Sequence, residues 1–321
     1  MHNSVAPDTA EVVPGVVRLR FVDERQFAVY AYLLTGSSGC VLIDSGFGGD
    51  AAADALERQV ASIGRSLDEI GTVVLTHLHH DHVGQALRLA ERGVTIRFHP
   101  EEPTALGPAF EVRRSGLRGL LRAHGMPEEE LPDEPYEPPI RLDDPIEDGQ
   151  LVELAGQRWL AVRTPGHTVG HLCLFRPSDG ALIVGDHLLA TVSTYVGADT
   201  IVGSNILERF LESLDRLDSL PATLVLPAHG KTYRGLHERT AEMRDYYADR
   251  LDATAAMLGD DPLSAYDVAR LMRETRGRRW DIGAFRRQLL ARHTAALLDE
   301  LARRGRAQRI EAAGLVFFRA R

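Results

Sequence analysis

Cysteine, lysine and long apolar runs are what this sequence lacks. Only two cysteines, Cys40 and Cys173, occur in 321 residues, each inside an apolar, strand-like stretch. Cysteines of that kind behave as small core hydrophobes, so neither a disulfide framework nor a thiolate metal site is expected. No apolar run approaches the roughly 18 to 20 residues needed to span a bilayer. The N-terminal MHNSVAPDTAEVVPG has neither the basic nor the apolar segment of a secretory signal, which makes the cytoplasm the expected compartment. Lys231 is the one lysine, leaving arginine as the generic cation.

Hydrophobic residues make up 44% of the chain and charged residues 26%, enough to bury a substantial core in a length that suits two domains. The net charge of −9 is unevenly spread. From Arg270 to Arg321 fourteen arginines face five acids, a surplus of nine, so the remainder carries −18. Such asymmetry accompanies nucleic-acid contact in some chains. Solvated helix faces and contacts with the acidic half explain it more simply.

Residues 16 to 46 read as extended chain, with a Gly/Ser turn at 36 to 39 between two strands. A helix is expected from Asp50 to Ile63, then a short buried strand, Thr72 to Thr76. A second helix should begin near Asp81 and end at Gly93, followed by a strand from Val94 to His99. Residues 101 to 145 are dense in Pro and acids and read as an insertion over the working face, with one short helix from Ser115 to Gly125. Strands resume at Leu151–Leu154, Trp159–Val162, His171–Phe175 and Ala181–Val184. An amphipathic helix, ILERFLESLDRLDSL, precedes a strand at Leu224–Leu226. Beyond Gly235 the pattern turns helical and ends in two short strands around Ala312-Ala313-Gly314. The expected organisation is an α/β catalytic domain at 1–235 and a smaller, winged-helix-like helical domain at 236–321.

The chemistry concentrates in Thr76-His77-Leu78-His79-His80-Asp81-His82. His77 and His79 alternate at the end of an extended segment, so their rings can point the same way. Asp81 and His82 follow at once. Imidazole nitrogens and carboxylate oxygens are the donors that zinc and similar ions accept. A single His-x-His is a weak signal, because surface and core histidines outnumber ligands. Three further segments strengthen it, each placing a polar donor directly after an apolar strand: Thr164-Pro165-Gly166-His167, Val184-Gly185-Asp186 and Leu226-Pro227-Ala228-His229-Gly230.

With those motifs in view, the chain resembles the metallo-β-lactamase superfamily over roughly residues 12 to 235. The family's His-x-His-x-Asp-His motif stands as His77 to His82, and its later motifs as His167, Asp186 and His229. The resemblance implies an αββα sandwich with two divalent metal ions at one edge. It further implies one ion held by His77, His79 and His167, a second by Asp81, His82 and His229, and Asp186 bridging them. Zinc is the expected metal, with iron or manganese as alternatives. Two such ions lower the pKa of a shared water and supply hydroxide, with Asp81 orienting the nucleophile and receiving its proton.

His80 reads as solvent-facing, and His171 and His187 as supports beside the ligands. Tyr195, Tyr233 and His187 are candidates for contacting substrate, while His2, His99, His124, His237 and His293 read as structural or surface histidines. Lys231 reads as a solvated loop residue. TPGHTVGH and GDHLL are similar to the glyoxalase II and lactonase-like branch, which implies cleavage of a thioester first and a lactone or other ester second. The substrate is then a small molecule or an acyl group on a carrier, with no membrane role and a homodimer left open. A phosphodiesterase or ribonuclease is the runner-up, opposed by the acidity of the catalytic half. β-Lactam hydrolysis and di-iron redox chemistry rank lower. The first lacks a cysteine in any ligand motif, and the second lacks a Gly-rich phosphate loop or cysteine cluster in 236–321.

Overall fold

Strands that are apolar on both faces dictate the layering. In Ala28–Gly36 (β3), Tyr30, Tyr32 and Leu34 point to one side, and Val29, Ala31 and Leu33 to the other. This period of two buries both faces of the strand, so the sheet must be covered on both sides. A computed structural model describes residues 8–102, 110–132, 140–198 and 205–321, and of 110–115 only the backbone. Parts of the expected 101–145 insertion, 103–109 and 133–139, therefore lie outside the described residues.

The first sheet runs in the order Thr9–Val13 (β1), Val16–Val22 (β2), β3, Gly39–Ile43 (β4), Ile70–Val74 (β5) and Thr95–Arg97 (β6). The second runs Leu224–Pro227 (β11), Ala181–Gly185 (β10), Leu172–Arg176 (β9), Gln157–Arg163 (β8) and Leu151–Leu154 (β7). Tyr30, Tyr32 and Ile43 from one sheet meet Trp159, Leu172 and Ile183 from the other in the central core. Asp50–Ser62 (α1) and Ala86–Glu91 (α2) cover the outer face of the first sheet through Leu56, Val60 and Leu89. Ile206–Asp218 (α4) covers the second through Phe210 and Leu214. The result is the expected αββα sandwich.

Past residue 235 come Leu236–Ala255 (α5), Leu263–Ser264 (β12), Ala265–Glu274 (α6), Ala284–Arg303 (α7), Ala307–Ala312 (β13) and Leu315–Ala320 (β14). The last strands form a three-stranded antiparallel sheet in the order β12-β14-β13. One apolar cluster joins Cys173, Phe175 and Leu182 of the second sheet to α4, to Met243 and Tyr247 of α5, and to Leu297 and Leu298 of α7. The core thus runs without a break across position 235. Phe110–Ala123 (α3) also turns to this side: Leu121, Met126 and Leu131 pack with Tyr266 and Ala291. Glu130 receives hydrogen bonds from Tyr266 Oη at 3.0 Å and Arg287 Nε at 2.7 Å. The described part of the insertion is therefore tied to α6 and α7.

The structure differs from the pattern reading mainly around the histidine motif. β5 stops at Val74, because the Thr76 amide donates to the Asp44 carboxylate at 2.8 Å instead of to a neighbouring strand. The helix expected from Asp81 begins only at Ala86. Residues 77 to 85 instead curl tightly, with His82 and Val83 amides on the His79 carbonyl and the Gly84 amide on Gly46. Gly84 lies so close to the 47–48 backbone that a Cβ would stand 1.9 Å from the Phe47 carbonyl carbon, which only glycine avoids. Two strands escaped the pattern, β1 and β12, being a half-buried edge and a two-residue piece. Among the described residues, no helix is long and apolar enough to cross a membrane.

Candidate metal centre

Strand ends and turns of both sheets converge on one edge of the sandwich. The tight curl after β5 delivers His77, His79, Asp81 and His82. The loop after β8 delivers His167, the end of β10 Asp186, and the loop after β11 His229. Three overlapping groups gather there: His77, His79 and His167; His77, His82 and Asp186; Asp81, His82 and His229. Within each, one ligand atom per residue lies within 4.8 Å of the others. His77 Nε2 and His167 Nε2 each approach His79 Nδ1 to 3.0 Å. His229 Nε2 stands 3.3 Å from both Asp81 Oδ2 and Asp186 Oδ1, so the two carboxylates meet on one imidazole.

The opposite ring nitrogens decide which way the lone pairs face. His229 Nδ1 donates to the Ala28 carbonyl at 2.7 Å, and His167 Nδ1 to the Tyr195 carbonyl at 2.9 Å. His82 Nδ1 donates to Asp44 at 2.9 Å. Thr76 gives its hydroxyl proton to Asp44 at 2.9 Å, so its oxygen accepts from His77 Nδ1 at 3.0 Å. A carbonyl or carboxylate can only accept, so each of these rings holds a proton on its outward nitrogen, and in its neutral form it turns a bare nitrogen to the centre. This is the outer support that metal-ligating histidines use.

Asp44 and Glu102 carry part of that support, and the pattern reading missed both. Asp44 takes a left-handed backbone conformation, φ 58, and reaches His82, Thr76 and, through Thr76, His77. Its signal was present in Leu42-Ile43-Asp44-Ser45-Gly46, an apolar strand ending on an acid as Val184-Gly185-Asp186 does. Buried Glu102 accepts from Thr168 Oγ1 and from the Gly170 amide, at 3.0 Å for the latter, and so braces the loop carrying His167. Nothing in its acid-rich surroundings marked it out.

His171 is fully buried and does not face the cluster. Its Nδ1 meets Thr164 Oγ1 at 2.9 Å, and its Nε2 accepts the Asp186 amide at 3.2 Å, which fixes the backbone beneath that carboxylate. Gly185, at φ 48, is squeezed beside it: a Cβ would lie 2.7 Å from His171 Nε2. His187 is buried against Phe210, ring centroids 4.7 Å apart, on the side away from solvent. The Tyr233 hydroxyl donates to the Leu188 carbonyl at 3.0 Å, so its proton is spent within the fold. Tyr195 donates to the Leu289 carbonyl at 3.2 Å and reaches the cluster through its own carbonyl, not its hydroxyl. His80 is exposed, as expected.

Electrostatics match a cation-binding edge. Burial, followed by the neighbouring imidazoles His82, His79 and His167, holds His77 well below the usual histidine range. Burial and then His167 do the same to His79. Burial opposes a charge on His82, yet Asp44, Asp186 and Asp81 overcome it and push this imidazole well up. Burial also opposes a charge on His229, which Asp186 and Asp81 nevertheless raise to about 9. Burial would raise the Asp186 carboxyl, but His82 and His229 outweigh it and keep it well below the usual range. Within the cluster, buried His82 Nε2 and Asp186 Oδ1 have no hydrogen bond and face each other at 3.6 Å, too far to bond directly. Unsatisfied buried groups of this kind are costly, and a shared cation satisfies both. The donor set of neutral imidazole and ionised carboxylate is one that zinc, iron and manganese accept.

Such a cluster at the edge of an αββα sandwich defines a metallo-hydrolase-like centre. The metallo-beta-lactamase superfamily profile matches residues 25–229, and the chain belongs to that superfamily. It is 30% identical over 254 residues to the probable metallo-hydrolase YqjP of Bacillus subtilis, covering 75% of this chain and 79% of that one. It is 27% identical over 246 residues to an atrochrysone carboxyl ACP thioesterase of Aspergillus fumigatus, covering 74% of this chain and 64% of that relative's length. A solved metallo-beta-lactamase family protein of Thermus thermophilus superposes with a TM-score of 0.80 at 28% identity, over 97% of this chain and 100% of its own. That superposition takes in the helical C-terminal third as well as the sandwich.

Proposed function

We propose that the chain is a dinuclear metal-dependent hydrolase that cleaves thioesters, with lactones and other esters as secondary substrates. The observation that carries this reading is the converged set of inward-facing nitrogens and carboxylates, in a chain similar to a named thioesterase. His77, His79 and His167 would hold one ion, and Asp81, His82 and His229 the other. Asp186 would contribute to both, since its two oxygens face opposite groups: Oδ2 lies 3.5 Å from His167 and Oδ1 3.3 Å from His229. Divalent cations bound there supply an acidified water and polarise the carbonyl under attack.

The chain's own residues do the positioning. Asp81 keeps an ionised carboxylate at the cluster, because His82 and His229 outweigh the effect of its burial. It can orient an attacking water and take up its proton. The four outward hydrogen bonds hold the imidazoles in place before substrate arrives, so little reorganisation is left for the reaction itself. The C-terminal helices, which we read as a winged-helix-like unit at 236–321, sit beside the loop that follows Asp186. They are placed to shape the acyl or leaving-group side of the site.

The test compares acyl thioesters, lactones, a β-lactam and bis(4-nitrophenyl) phosphate with the purified, metal-analysed protein. Thioester kcat/KM should exceed that for the others by at least tenfold. Cleavage of the phosphodiester alone would overturn this reading in favour of phosphodiesterase activity.

A further inference from the structure

The arginines of the C-terminal third fall into two groups. Several sandwich arginines are neutralised in place, as in Arg65–Glu69, Arg176–Asp179 and Arg216–Asp148. Arg270 and Arg287 likewise pair with Asp267 and Glu130. Among the described residues, Arg250, Arg273, Arg276 and Arg286 form no ion pair. Arg273 Nε is held only by the Arg279 carbonyl at 3.1 Å, and Arg250 Nε is buried without a hydrogen bond. Arg273 and Arg286 thus have no carboxylate partner, which leaves their guanidinium groups free to pair with an anion.

A cavity of about 330 Å³ adjoins them, within the range of small-molecule sites. Tyr195, Tyr246, Ile282 and Leu289 give it an apolar wall, and Arg273 and Arg286 also line it. The charge of Arg250 adds to burial in lowering His293, which lines the cavity, and Arg276 in turn acts on Arg250. The loop at the inner end is bonded directly to the metal edge. Thr194 Oγ1 donates to the His187 carbonyl at 2.8 Å, with the Asp186 carbonyl at 3.1 Å, and the Tyr195 carbonyl accepts from His167. An apolar body beside this loop and an anionic end at Arg273 and Arg286 are therefore the two features of a fitting ligand.

We propose that this cavity receives the pantetheine arm of a coenzyme A thioester, with Arg273 and Arg286 holding its phosphates. The proposal rests on the thioesterase reading above. Guanidinium groups bind phosphate oxygens in pairs, and a cluster of them suits a diphosphate better than a lone carboxylate. The neutral, slender arm suits the uncharged wall, and its sulfur end would lie toward His167.

Binding is measured by calorimetry on the full-length chain, with S-methyl coenzyme A and S-methyl pantetheine, so that no free thiol competes for metal. The phosphorylated probe should bind at least tenfold tighter, and this preference should shrink with added salt. R273Q/R286Q should abolish the preference at unchanged melting temperature, while R273K/R286K should retain part of it. Equal affinity for the two probes, or a preference that survives R273Q/R286Q, would overturn the proposal. So would binding of acyl carrier protein but not of coenzyme A. Because binding is read without turnover, it separates from the hydrolysis test: inert thioesters would sink the thioesterase reading alone.

Discussion

Two groups of buried histidines in this molecule are buried to different ends. At the sandwich edge His77, His82, His167 and His229 each anchor one nitrogen outward and leave the other facing a common point. On the C-terminal side His124 lies stacked against Phe318, centroids 6.3 Å apart, and His293 donates to the Val196 carbonyl at 2.7 Å. Among the described residues, neither belongs to a converging group of donors. Burial alone therefore does not separate the two groups. Convergence together with an outward anchor does.

The sharpest way to break this contrast is to remove a convergent donor. Asp186→Ala or His167→Ala should eliminate metal retention, read by elemental analysis, and lower turnover by about a thousandfold or more. Full metal content in either variant would collapse the distinction between the two regions.

Acid should act first on the other group. Burial, followed by Arg309, holds His124 at about 4, and burial holds His293 at about 4 against an ordinary value of 6.5. The unfolded chain then binds more protons than the folded one between those values. The stability from keeping these rings neutral is complete above pH 6.5 and lost as pH falls toward 4, roughly 3 kcal/mol for each ring. Denaturant midpoints of the wild type and of His124→Leu across that window check it, and the variant should show the shallower acid loss.

A smaller effect tests the anchors. Asp44→Asn keeps the shape but removes the carboxylate beneath His82 and Thr76, and should weaken metal binding by about 10- to 100-fold in chelator competition. The smallest concerns His124→Leu at neutral pH. It should leave metal content at the wild-type level, because this ring packs without converging on anything.

The same contrast explains how much could be read from the chain alone. Both sheets were legible, because strands such as β3 and β9 are short continuous apolar runs bounded by turn residues, and α1 and α4 because their apolar spacing is helical. All seven cluster residues stood out as donors placed directly after apolar strands. What escaped was set by side chains reaching across the fold. Asp44 shortened β5 by drawing off the Thr76 amide, and the Gly84 crossing delayed α2 to Ala86. The docking of α3 on α6 and α7 depends on Glu130 meeting Tyr266 and Arg287, residues more than a hundred positions away, which no local pattern records.

The apolar cluster that runs from β9 and β10 through α4 into α5 and α7 also bears on how such a chain can diversify. A cassette bolted on through a polar joint can be exchanged for another, and new specificities arrive whole. Here the helices beside the catalytic edge share side-chain packing with the sheet beneath it, so a foreign replacement would have to match Phe210, Leu214 and Tyr247 before it could fold. Change is thereby confined to small steps at the cavity's own lining, one residue at a time, with the hydrolytic edge left as it is.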